Sequence, residues 1–342
     1  MRLGEIFCEN MVLQAGKPIR IFGEGEGEGV ISFLGKTYFV KSSGGIWMTE
    51  LPACPYGGPY EMEVCLNGKT TKICGIRIGE VILVAGQSNV QFRLGEEVPR
   101  REYPEDGLLR FFALTRPEKD AYCFNSSDGW RGTDPDSVLK HSAIGYHLGV
   151  MIRKSKNVAV GVVECYQGAS VIQSWMSKKQ AGRAEFSVPI HERHMDYTLP
   201  EGEWYRAWNL DGALHDAMFL KIVPYSFSAV IWYQGESNTS IAEGKIYLKM
   251  LQAMVKEWRE ELMDEKLFFV VVVIADYIDE AGEGWSAVQD AQLHAEKTIE
   301  RVLSVDSRDV SDSSTIHPPD KLLLSQRIFR AWERLTKDGC HV

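Results

Sequence analysis

The stretch Val81-Ile-Leu-Val-Ala-Gly-Gln-Ser-Asn89 limits the possible folds more than any other part of the chain. It opens with a run of apolar residues rich in β-branched side chains, the pattern of a strand buried on both faces. Gly86 ends the run and permits a sharp turn, and its missing side chain leaves room for a substrate. The polar triplet Gln87-Ser-Asn89 follows at once. In an open α/β sheet, ligands bind just beyond the carboxyl ends of the strands. Ser88 therefore falls where a nucleophile would be displayed. A Gly-x-Ser at a strand end also arises for turn reasons alone, so the assignment depends on the rest of the chain.

The remaining sequence supplies such a sheet. Apolar strand-like runs recur at Val81–Ala85, Val158–Cys165, Ala229–Tyr233, Leu267–Ala275 and Val302–Asp306. Helical patterns fall between them, at roughly 135–154, 207–220, 240–264 and 285–300, and a last one at about 320–336 closes the chain. This alternation predicts a parallel sheet with helices on both faces. Residues 1–78 read differently, as short alternating strands separated by Gly-rich turns, including the hairpin signal Asn67-Gly68. They predict a small β-rich, sandwich-like accessory domain beside an α/β catalytic domain over residues 79–342. Structural support is its expected role, with sugar binding as the alternative. Residues 176–206 are charged and aromatic without period, the composition of a lid or irregular insertion.

Composition excludes several classes of function. The net charge is −9 over 342 residues, which argues against nucleic-acid or anionic-membrane partners. No apolar run approaches the roughly 20 residues that span a bilayer, and the N-terminus lacks a signal-peptide core. The seven cysteines are odd in number, with no Cys-x-x-Cys pair. Reduced thiols in a cytoplasmic protein are the expectation.

Polar residues gather at the ends of four predicted strands. They are Gly86-Gln-Ser-Asn89, Tyr166-Gln-Gly-Ala-Ser170, Gln234-Gly-Glu-Ser-Asn238, and Thr315-Ile-His-Pro-Pro-Asp-Lys321 after the last strand. Ester hydrolysis needs a nucleophile, a base within hydrogen-bond reach and donors for the oxyanion. Ser88 can be the first and His317 the second. The backbone N–H groups of Ser88 and Gly168 and the side-chain amide of Asn238 can be the third. Pro318-Pro319 holds His317 on a stiff loop before the final helix.

Rival readings exist for most of these residues. Gly235-x-Ser-Asn copies the first motif, so Ser237 competes as nucleophile. Glu236 is either a general acid or a buried brace. Gln87 and Gln234 are either substrate contacts or backbone braces. Trp175, Tyr233, Trp204, Tyr205 and Trp208 can stack a sugar ring or pack in the core. His191 and His194 lie near Glu192 and Asp196, but the spacing fits no strong metal motif. His141, His147 and His294 fall on predicted helices. A Walker loop, a dinucleotide fingerprint and the Gly-x-Ser-x-Gly elbow are absent.

Asn10-Met-Val-Leu-Gln14, Gly57-Gly-Pro-Tyr60, Gly79-Glu-Val81, Gly86-Gln-Ser-Asn89, Ile231-Trp-Tyr-Gln-Gly-Glu-Ser-Asn238 and Ile316-His-Pro-Pro-Asp-Lys321 run in order along the chain. On these phrases the sequence resembles, nearly end to end, the sialate O-acetylesterase and acetylxylan esterase group of the SGNH hydrolase superfamily. The resemblance implies a flavodoxin-like three-layer α/β/α fold with sheet order 2-1-3-4-5. It also implies Ser88 as nucleophile, His317 as base, and Gly168 and Asn238 beside the Ser88 N–H in the oxyanion hole. The implied activity is removal of O-acetyl groups from sialic acid, xylan or other acetylated glycans, with no metal or cofactor. Another SGNH lipase or thioesterase activity, and a non-catalytic carbohydrate-binding protein, are the competing readings.

The chain departs from the group at three places. Val90 stands where Met is usual. His215 and Asp216 replace common residues, which bears on substrate choice if that segment faces the site. Ser314 occupies the position, three before the histidine, where an Asp often completes the triad. Three acceptors for His317 are open: Asp312, a backbone carbonyl from Ser313–Thr315, or a remote carboxylate such as Glu236.

Overall fold

The computed structural model describes residues 1–117, 124–194, 207–310 and 312–338. The β-rich part contains β1 (Arg2–Leu3), β2 (Val12–Gln14), β3 (Ile19–Glu24), β4 (Glu28–Phe33), β5 (Lys36–Lys41), β6 (Ile46–Leu51), β7 (Gly57–Leu66) and β8 (Lys69–Gly86). After β8 come α1 (Ser88–Gln91), β9 (Leu109–Ala113), α2 (Ala143–Lys156), β10 (Val160–Tyr166), α3 (Lys178–Ala181) and α4 (Ala213–Ala217). The chain continues through β11 (Ala229–Tyr233), α5 (Ile241–Glu261), β12 (Phe268–Val272), α6 (Glu283–Thr298), β13 (Val302–Val305) and α7 (Leu322–Asp338).

Every residue from Gly79 to Gly86 is buried, as are all of β10 and β11. Strands without a solvent face must be covered on both sides, and here α2 packs with α7 and α5 packs with α6. The parallel part of the sheet runs β9-β10-β8-β11-β12-β13. The five strands expected from sequence stand in the order 2-1-3-4-5, as the resemblance implies. A further strand, β9, extends the edge beyond β10.

β8 is long enough to serve two sheets. Its first part pairs antiparallel with β7, and its second part is the centre of the parallel sheet, so one strand crosses position 78 unbroken. Side chains tie the β-rich part to the amino-terminal edge of that sheet. Lys17 Nζ donates to Asp264 and to the Phe227 carbonyl, both at 2.6 Å. Tyr225 Oη donates to the Val12 carbonyl at 2.6 Å, and Arg20 donates to the Leu262 and Met263 carbonyls. The carboxyl edge, where Ser88 lies, is left to the loops. No helix among the described residues is long and apolar enough to cross a membrane.

Candidate active site

β8 ends at Gly86, which has φ +136°. A Cβ there would sit 2.0 Å from the Tyr233 carbonyl oxygen. Glycine is required by the close approach of β11, which corrects the expectation that its missing side chain makes room for substrate. Gln87 is the N-cap of the one-turn helix α1, and Ser88 is the first helical residue. The Ser88 N–H is left without an acceptor among the described residues.

His317 enters from the loop between β13 and α7. Its Nε2 lies 2.7 Å from Ser88 Oγ, within proton-transfer distance. Burial and the nearby Lys321 charge lower the His317 pKa, and Glu96 opposes them. A lowered pKa leaves the ring neutral, the form a general base requires.

None of the three expected acceptors holds His317 Nδ1, and no oxygen among the described residues accepts from it. Asp312 is exposed and turned to Ser314, accepting from its N–H at 3.0 Å and its hydroxyl at 2.6 Å. The Ser313 carbonyl accepts from Ile278 N–H. Glu236 is buried and accepts from Asn89 Nδ2 at 2.6 Å. His317 thus meets Ser88 with no carboxylate on its Nδ1 among the described residues, and its loop is held from behind. Asn89 Nδ2 also donates to the Ile316 carbonyl at 3.0 Å, and Asn89 Oδ1 accepts from Lys321 Nζ at 2.6 Å. Asn89 follows Ser88 and Ile316 precedes His317, so one amide ties the two segments together.

Lys321 is fully buried, and burial pushes its pKa down to about 7 despite Glu236, Glu97 and Glu96 nearby. Burial raises the Glu236 pKa. Both residues stood in the recognised phrases. The signal that marks Lys321 is an ammonium immediately before the apolar start of a helix.

Gly168 follows β10, and its N–H donates to Gln91 Oε1 at 2.7 Å. A Cβ built on Gly168 would lie 3.7 Å from Ser88 Cβ, so the two expected oxyanion donors are neighbours. Ala169 takes a left-handed φ of +53°. Asn209 secures that strained turn by donating to the Ala169 carbonyl at 2.7 Å and accepting from Val171 N–H at 3.0 Å.

Asn238 is a correction. Its Nδ2 donates to Gln173 at 2.8 Å and to Glu243 at 3.0 Å, and its Oδ1 accepts from Ile172 N–H and Gln234 Nε2. Fully buried and fully bonded, this amide is directed into the loop framework and not at Ser88. Gln87 and Gln234 belong to the same framework: Gln87 Oε1 accepts from Gln234 Nε2 and from the N–H groups of Gly235 and Ser237. Ser237 is buried within it.

Trp175 and Tyr233 are also corrected. Both are 0% exposed, Trp175 donating to Ser170 and packing edge-on to Trp232, so neither has a ring face free for a sugar. Trp208 is half-buried, while Trp204, Tyr205 and Asp196 lie outside the described residues. His215 bonds Asp216 and Glu261, the last residue of α5, at the edge away from Ser88. His194 contacts Thr239, and no cluster of metal-ligating side chains occurs among the described residues.

Known proteins resemble this chain in sequence and in fold. Residues 79–321 match the family model for "Carbohydrate esterase, sialic acid-specific acetylesterase". The chain is 22% identical to the sialate O-acetylesterase of Homo sapiens over 250 residues, covering 68% of this chain and 46% of that protein. The Rattus norvegicus protein of the same name is 21% identical over 268 residues, covering 68% of this chain and 49% of that protein. The chain thus spans about half the length of these curated relatives. A crystal structure of a carbohydrate acetylesterase from Xanthomonas citri superposes with TM-score 0.83 at 24% identity, covering 98% of this chain and 75% of that one. The chain belongs to the carbohydrate esterase family of the sialic acid-specific acetylesterase type.

Proposed function

We propose that this protein is a serine esterase that removes O-acetyl groups from carbohydrates. The observation that carries the reading is the 2.7 Å separation of His317 Nε2 and Ser88 Oγ beside Gly168 at the carboxyl edge of the sheet. Ser88 Oγ attacks the acetyl carbonyl as His317 Nε2 takes its proton, and the carbonyl electron pair moves onto oxygen. The Ser88 and Gly168 N–H groups receive that oxyanion. Collapse breaks the ester bond, and His317 returns the proton to the departing sugar hydroxyl. Water, deprotonated by His317, then cleaves the acetyl-enzyme to acetate and free Ser88.

Acetylated sialic acid, acetylated xylan and other acetylated glycans are the substrates in view. The family match favours sialic acid as the first to test. The experiment is acetate release from a panel of these glycans. Release from at least one, abolished by Ser88→Ala, supports the reading. Binding of a glycan with no release from any would make the protein a carbohydrate-binding one.

A further inference from the structure

The Gly168 N–H, which the proposed reaction needs for the oxyanion, is already occupied. Gln91 Oε1 accepts from it at 2.7 Å. The two groups meet at the nucleophile: a Cβ on Gly168 would be 3.2 Å from Gln91 Oε1 and 3.7 Å from Ser88 Cβ. Gln91 lies three residues after Ser88 on α1, the spacing that brings side chains to one helix face. An amide oxygen therefore stands where the carbonyl oxygen of an acetyl ester would bind.

Four other amides near Ser88 are committed elsewhere. Gln87, Asn89, Gln234 and Asn238 are all buried and engaged with other residues. Gln91 is half-buried, and among the described residues its side chain makes only the bond to Gly168. It is held by one neutral hydrogen bond, which an incoming carbonyl can replace.

We propose that Gln91 is a catalytic residue of this site: it fills the oxyanion position in the free protein and, once displaced by the acyl oxygen, turns its amide to donate Nε2–H to the oxyanion. This rests on the reading of Ser88 and His317 given above. The chemistry is unchanged, since the amide neither gains nor loses a proton. Its oxygen keeps the half-buried Gly168 N–H satisfied before substrate arrives. Its nitrogen supplies the side-chain donor that Asn238, committed to Gln173 and Glu243, does not.

The test uses Gln91→Ala and Gln91→Met, assayed on p-nitrophenyl acetate, with methylboronic acid as a tetrahedral adduct that mimics the intermediate. Both variants should lose about 10- to 100-fold in kcat with KM within about threefold, and the boronate inhibition constant should weaken in proportion. Equal melting temperatures confirm the fold; if Gln91→Ala melts early, Gln91→Met decides. Unchanged kcat in a folded variant overturns the proposal, whether KM stays the same or falls because only a plug was removed. So does a loss of kcat with unaltered boronate affinity. Ser88→Ala is run alongside. Failure of the wild-type protein to hydrolyse the ester defeats the esterase reading itself, whereas hydrolysis that needs Ser88 and ignores Gln91 defeats only this proposal.

Discussion

Lys321 Nζ donates to Asn89 Oδ1 across 2.6 Å, in a fully buried position directly behind the Ser88–His317 pair. The ammonium has no exposed route to water, and its charge acts on His317. Burial first, and Lys321 second, hold the imidazole below its usual value of about 6.5. Activity requires the neutral ring, so kcat/KM should hold to a pH below the ordinary histidine range and then fall. Lys321→Met removes the cation and should move that acid limb upward. Glu96 acts in the opposite sense, so Glu96→Gln should move the limb downward. A pH–rate profile of the three proteins checks both signs, and identical limbs would show that these charges do not act on the base.

Asp312 bonds Ser314 and faces solvent, not His317. Asp312→Ala should therefore keep kcat within about tenfold of wild type. A triad Asp, by contrast, is worth roughly 10⁴ in kcat when neutralised. Steady-state kinetics on the best acetyl ester decides; a loss of several hundredfold in a folded variant would make Asp312 the acid.

Asn238 joins Gln173, Glu243, Ile172 and Gln234 in one buried framework. Removing its amide strands several of these partners, each at about 1–3 kcal/mol. Asn238→Ala should lower stability by about 2 kcal/mol or more in denaturant unfolding, while the folded enzyme keeps kcat within about tenfold. Full stability with kcat reduced 10²- to 10³-fold would return Asn238 to the oxyanion hole.

The sheet was legible because its central strands are buried on both faces and write themselves as unbroken apolar runs. β9 is not legible in the sequence because Leu109-Arg-Phe-Phe-Ala113 is short and Arg110 interrupts its apolar pattern. Ser88 and His317 were legible because each follows a strand end with a distinctive polar neighbour. Asn238, Trp175 and Tyr233 share those strand ends, yet they point into the framework or the core. Local pattern places a residue at an edge but does not say which way its side chain turns. The same limit hid Asn89 and Gln91, whose roles depend on Ile316, Lys321 and Gly168, residues far away in the chain.

Trapping an analogue of the acyl-enzyme tests Ser88 as the nucleophile most directly. The protein is incubated with a serine-directed organophosphonate, digested, and the labelled peptide is sequenced by mass spectrometry. The predicted result is a single adduct on Ser88, absent in Ser88→Ala, together with a kcat loss of roughly 10³-fold or more in that variant and an intact fold. An adduct on Ser237 that persists in Ser88→Ala would contradict it.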